Sequence, residues 1–96
     1  MENREYICIL FDYYGDLLTD KQIKYFQDYY FENLTLSEIS ENNNVSRNAV
    51  HKTIKETEEK LLFYEDKLKL YNKSLLIKDI IVEVDENIQN KIIELI

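Results

Sequence analysis

The sequence predicts an all-α domain built around a helix-turn-helix, with an extended fourth helix and a C-terminal helix behind it. Three observations predict this. Residues 36–55 read Leu-Ser-Glu-Ile-Ser-Glu-Asn-Asn-Asn-Val-Ser-Arg-Asn-Ala-Val-His-Lys-Thr-Ile-Lys: a short helix, a tight turn and a second helix that starts on a serine. Proline is absent and Gly15 is the only glycine, so helix breakers are scarce in 96 residues. Apolar side chains recur at helical spacing along most of the chain.

The elements follow in order. A first helix is expected from about Asn3 to Tyr14, because Ile7, Leu10, Phe11 and Tyr14 fall at i, i+3, i+4 and i+7. Gly15 stands where a left-handed C-cap is usually needed. A second helix begins at Thr19, where Thr19-Asp-Lys-Gln22 fits a capping box. Ile23, Phe26 and Tyr30 form its inward stripe, and it ends near Asn33. The third is short, Leu36 to Asn42, opened by a second capping box, Thr35-Leu-Ser-Glu38. Ile39 points to the core, and Ser40 is small enough to let the neighbouring helix approach. Asn42-Asn43-Asn44 makes the turn, with Asn44 taking the left-handed conformation a glycine would usually adopt. Val45 is expected to pack inward.

The fourth helix opens on Ser46 as N-cap. Its apolar seam has a seven-residue period, Ile54, Leu61, Leu68, Leu75 and Val82, and Tyr64 and Tyr71 add an a/d-like pattern. No breaker stands before Glu83. The spacing therefore predicts a helix from Ser46 to about Asn72, or as far as Val82. The stretch Leu75 to Val84 is ambiguous because β-branched residues weaken helix propensity. Asp85 is a candidate N-cap for a last helix carrying Ile88, Ile92, Leu95 and Ile96. The organisation expected is a single domain: a trihelical body over residues 1–60, then a long-helix extension and C-terminal helix over 61–96. A small body leaves the far half of the fourth helix uncovered, so a homodimer through Leu61, Tyr64, Leu68 and Tyr71 is favoured over an intramolecular core.

Charge constrains function. The net charge is −7, and it is spread out: −3 over residues 1–19, −2 over 20–60 and −2 over 61–96. No segment is a basic block, so sequence-independent attraction to phosphate should be weak. The N-terminus, Met-Glu-Asn-Arg-Glu, lacks signal-peptide features, and the longest apolar run, Tyr6 to Phe11, is too short to span a bilayer. A cytoplasmic protein without membrane association is expected. Cys8 and His51 are the only residues of their kinds, too few for a structural zinc site. A single glycine leaves no phosphate-cradling loop. Most of the carboxylates fall on exposed faces, and no pair sits in an evident cleft. These features point away from catalysis, metals and cofactors, and towards binding.

The binding candidates lie on the fourth helix. Arg47, His51 and Lys55 recur every four residues, with Lys52 adjacent, and would form a stripe on the exposed face. Arg47 could contact a guanine edge or a phosphate, and Asn48 an adenine edge. The plainer reading is a solvated face with i,i+4 pairs such as Lys52 with Glu56; Ser46 is a cap under either. Tyr25 and Tyr29, off the inward stripe of the second helix, could complete the core, join a protein interface, or stack on unpaired RNA bases.

These residues carry a resemblance. Phe11-Asp-Tyr-Tyr-Gly-Asp-Leu-Leu-Thr-Asp-Lys-Gln22, Tyr25, Tyr29-Tyr30, Leu36-Ser-Glu-Ile39, Val45-Ser-Arg-Asn-Ala-Val-His51, Ile54-Lys55 and Thr57-Glu58 occur in the order and at the separations of the YlxM-type family of small bacterial helix-turn-helix proteins. The chain resembles that family over residues 6–71, and its trihelical part is similar to region 4 of bacterial sigma factors. The resemblance implies an all-helical, dimeric, non-enzymatic protein that binds or regulates the signal recognition particle, through its protein or its RNA. Three positions depart from the family. Asn43 and Asn44 replace an apolar residue and a turn former, and Glu56 replaces a base beside the recognition surface. A DNA-binding transcriptional regulator using the same helix is the alternative, and a purely structural dimer a third.

Overall fold

The computed structural model describes residues 3–96; Met1 and Glu2, with which the N-terminal signal-peptide reading begins, lie outside the described residues. Six α-helices follow one another, α1 (Arg4–Tyr14), α2 (Asp20–Tyr30), α3 (Leu36–Asn43), α4 (Arg47–Leu68), α5 (Leu70–Ile80) and α6 (Glu86–Ile93). Short 3-10 turns occupy Gly15–Leu17 and Ile81–Glu83. There is no strand among the described residues, so the chain is all-α.

Local chemistry sets most helix starts. Asn3 caps α1 by accepting from the Glu5 and Tyr6 amides. Both capping boxes form: Thr19 with Gln22, and Thr35 with Glu38, each satisfying two otherwise free N–H groups reciprocally. Asp85 caps α6 through the Asn87 amide.

α4 is the central element, packed against α1, α2 and α3. One core cluster joins Ile7, Leu10, Tyr14, Leu18, Phe26 and Leu61; a second joins Tyr25, Ile39, Val50 and Ile54. Tyr30 packs against both, and Phe26 stacks between Phe11 at 4.3 Å and Tyr30 at 4.4 Å. Inside α4, the fully buried Thr57 hydroxyl donates to the Thr53 carbonyl, so a polar residue sits in the core without an unmet hydrogen bond.

Several expectations change here. Gly15 is not left-handed: at φ −55° it is helical and begins the 3-10 turn, because α1 tightens rather than reversing. α2 stops at Tyr30, before Asn33, which takes a left-handed φ of 56°. Val45 is 37 % exposed rather than packed inward. Its amide donates to Ser40 O and that of Asn44 to Glu41 O, the Schellman pattern, and the Val45 side chain lies beyond the core at the turn.

The largest change is in the fourth helix. It does not reach Asn72 or Val82; it ends at Leu68, and Lys69 turns left-handed at φ 55°. A distant contact is the reason. The Glu65 carboxylate, 7 % exposed, accepts the Tyr14 hydroxyl at 2.6 Å. It also accepts the Tyr71 amide at 3.2 Å and the Asn72 amide at 3.0 Å. The Leu70 amide in turn donates to the Tyr14 oxygen at 3.1 Å. Three of the N–H groups freed at the start of α5 are thus satisfied by two buried side chains, while Lys69 supplies no side-chain cap. The negative carboxylate at a helix N-terminus adds favourable dipole energy.

The break also dissolves the long seam. Leu61 is fully buried in the chain's own core, and Tyr64 and Tyr71 pack against the same cluster. Of the four expected dimer residues only Leu68 is exposed, at 44 %. Beyond the break, Leu75, Leu76, Ile80 and Val82 remain exposed, and α6 buries none of its residues.

Glu65→Ala should remove these bonds, leave the Tyr14 hydroxyl and two amides unmatched, and cost roughly 2–4 kcal/mol. Thermal denaturation followed by circular dichroism checks it, and an unchanged midpoint would refute the capping role. The same network should show in alkaline titration. Burial, reinforced by the Glu65 hydrogen bond, lifts the Tyr14 phenol from 10.0 to about 12. The unfolded chain then loses that proton first, so this contribution is complete below about pH 10 and is lost as pH rises towards 12. Burial and the Glu58 hydrogen bond lift Tyr30 in the same direction. Tyr14→Phe should therefore lower stability at pH 8 and flatten, without abolishing, its decline between pH 10 and 12, measured by urea denaturation across that range.

Candidate nucleic-acid interface

The interface is built from the turn upward. Asn44 adopts φ 54°, ψ 43°, the conformation for which asparagine is among the best non-glycine residues. Asn43 adds rigidity, since its side-chain amide donates to the Ile39 carbonyl at 2.8 Å. The two departures from the family pattern at the turn thus both take part in backbone bonding. Ser46 then caps α4, its Oγ accepting the Ala49 amide at 3.0 Å.

Val50 and Ile54 anchor the inner face of this helix in the second cluster. Its outer face consequently carries Ser46, Arg47, Asn48, His51, Lys52 and Lys55, all exposed. Arg47, His51 and Lys55 make no hydrogen bond or ion pair among the described residues. Lys52 makes the expected pair with Glu56, at 3.9 Å, with both side chains more than half exposed. Such a pair contributes little and can open at small cost. The sequence-predicted binding residues are therefore brought together on one face, at the start of α4, with the charged ends of Arg47 and Lys55 available.

The two tyrosines separate. Tyr25 is 4 % exposed and belongs to the core. Tyr29 is half-buried and lines a hollow of about 300 Å³ with Leu36, His51, Ile54, Lys55 and Glu58. This hollow adjoins the α4 stripe, which supplies His51 and Lys55 to it. His51, Ile54, Lys55 and Glu58 share one side of α4, but that Tyr29 of α2 and Leu36 of α3 face them was not legible from sequence, because it depends on how the three helices pack.

Arg4 holds this corner. Its guanidinium donates to the Tyr29 and Tyr30 carbonyls at 2.9 and 3.1 Å, satisfying acceptors left free at the C-terminus of α2. The same group lies 4.4 Å from the Tyr30 ring centroid and 5.4 Å from that of Tyr29. Tyr30 in turn donates its hydroxyl to Glu58.

Cys8 is half-buried, and burial pushes its thiol up, away from the reactive thiolate. Among the described residues no group of three or more His, Cys, Asp or Glu converges on a point where a metal could sit. No helix among them is long and apolar enough to cross a membrane.

Comparison with known proteins follows the same lines. The whole chain, residues 1–96, matches the family described as "Putative helix-turn-helix protein, YlxM / p13 like". It is 46 % identical over 89 residues to a UPF0122 protein of Malacoplasma penetrans, covering 92 % of this chain and 83 % of that one. It is 41 % identical over 88 residues to one of Clostridium acetobutylicum, covering 92 % and 76 %. Against a UPF0122 protein of Oceanobacillus iheyensis it is 54 % identical over 67 residues, covering 70 % of this chain and 64 % of the relative.

Proposed function

We propose, from the premise that the chain belongs to the YlxM / p13-like helix-turn-helix family, that it is a non-enzymatic binding protein whose α4 stripe contacts nucleic acid. The observation that carries this is the exposed, unpaired set Arg47, Asn48, His51 and Lys55 at the start of a capped helix, following a left-handed turn. The apolar face of that helix is buried, so its polar face is held rigidly and cannot rotate away. Positioned donors of these types recognise phosphates and base edges.

The finer reading is an accessory or regulatory factor of the signal recognition particle pathway, acting on the particle's RNA or protein. It rests on the family resemblance over residues 6–71. The chain's charge of −7 supports a restricted contact over general attraction to nucleic acid, because an acidic chain repels phosphate except where exposed cations such as Arg47 and Lys55 face it. DNA recognition is the second reading, favoured by Arg47 and Asn48 standing in the first turn of α4. That is where a recognition helix meets the major groove.

In this proposal the chain is a homodimer, and the contact differs from the seam expected at Leu61. With Leu61, Tyr64 and Tyr71 used internally, the contact falls to the exposed apolar residues Leu68, Leu75, Leu76 and Ile80. Sedimentation equilibrium should give twice the monomer mass, and Ile80→Glu should shift it to the monomer; a monomer in the unsubstituted protein would overturn it.

Fluorescence anisotropy with labelled signal-recognition-particle RNA, with and without the particle's protein, beside a random DNA duplex, tests the main reading at two salt concentrations. Preference for the particle or its RNA should survive at the higher salt, and Arg47→Ala should weaken it by roughly 1–3 kcal/mol. Equal, salt-labile binding to RNA and random DNA would sink the pathway assignment. A variant binding as tightly as the unsubstituted protein would sink the role of the stripe.

A further inference from the structure

The hollow beside the stripe combines groups that a phosphate-binding surface would not. Tyr29 offers an aromatic ring, and Leu36 and Ile54 form apolar walls. Glu58 places a carboxylate among them, already accepting from Tyr30. A carboxylate there repels a phosphate, yet it accepts hydrogen bonds from the amino and imino groups of a base. His51 and Lys55, shared with the stripe, supply cationic or donor groups for the sugar-phosphate on either side. At about 300 Å³ the space lies at the lower end of small-ligand pockets.

The lining is also held in place beforehand. Arg4 fixes the carbonyls of Tyr29 and Tyr30. The Tyr29 ring meets that of Tyr30 edge-on, at 5.2 Å and 80°. Glu58 is tethered by the Tyr30 hydroxyl. A ring and an acceptor fixed in this way lose little freedom on binding, which favours affinity from a small contact.

We propose that this hollow receives an unpaired nucleobase of RNA, stacked on Tyr29 with its hydrogen-bonding edge towards Glu58, while His51 and Lys55 hold the adjoining backbone. This rests on the nucleic-acid reading of α4 and narrows it. A base within a duplex is stacked and paired, and its faces cannot reach such a site; a base in a bulge or loop can. The stripe from Arg47 to Lys55 then grips the flanking stem, and the hollow selects stems interrupted by an unpaired residue. The acidic protein thereby gains affinity from stacking and hydrogen bonding where its net charge opposes it.

The test uses the full chain and a pair of RNA hairpins with the same stem, one fully paired and one carrying a single bulged 2-aminopurine. The bulged hairpin should bind more tightly, and its fluorescence should fall as the base stacks on Tyr29. Tyr29→Leu, checked for folding by circular dichroism, should remove the quenching and lower affinity for the bulged hairpin roughly tenfold or more, leaving the paired hairpin unaffected. Tyr29→Phe should keep the preference, because the ring remains. Arg47→Ala should weaken both hairpins alike. Equal binding of the two hairpins, still lost in Arg47→Ala, would overturn the pocket while leaving the stripe's role intact. Binding of neither would overturn both. Bulge preference that survives in Tyr29→Leu, or binding without quenching, as expected if the hollow serves a protein side chain, would overturn the pocket.

Discussion

One buried carboxylate organises the second half of this molecule. Glu65 sits near the end of α4, inside the core, and accepts hydrogen bonds from Tyr14 of α1 and from two amides that open α5. A buried acceptor with vacant lone pairs would be costly, and so would three uncapped amides. Each deficit supplies what the other lacks. Meeting both requires the chain to leave the helical path at Lys69, accepting a left-handed residue that is neither glycine nor asparagine. The cost of that backbone is small beside the bonds it permits.

The consequence reaches the candidate binding face. Because α4 ends at Leu68 and α5 folds back towards α1, Leu61, Tyr64 and Tyr71 close the core under α1. α4 is thereby fixed by α1, α2 and α3 together. A helix fixed on three sides presents its remaining face in a defined orientation. That face is the one bearing Arg47, Asn48, His51, Lys52 and Lys55.

The conflict between an acidic chain and the anionic partner proposed for it has a local resolution. Two acids beside the stripe are already engaged: Glu56 is paired with Lys52, and Glu58 accepts from Tyr30. Arg47, His51 and Lys55 are left unengaged, concentrated within three turns of one helix. An interface of that size does not bind phosphate everywhere. It suits a contact in which charge positions the ligand and short-range groups select it.

The all-helical class, both capping boxes, the left-handed Asn44, the Ser46 cap and the Asp85 cap were legible because each depends on residues within four positions of one another. The exposed stripe was legible for the same reason: its spacing follows from the helical period once the buried face is known. The sequence alone therefore determined the helix-turn-helix and the candidate residues upon it. Only the tertiary structure decided where α4 ends, because the hydrogen bond responsible joins residues 51 positions apart. It alone sent Tyr25 into the core and Tyr29 to the rim of a hollow, since Leu36, Ile54 and Glu58 meet Tyr29 only when α2, α3 and α4 are packed. It also buried Leu61 and packed Tyr64 and Tyr71, partly buried, against the same cluster. A seven-residue period records which side chains share a helix face, but only packing decides whether that face is covered from within the chain or left for a partner.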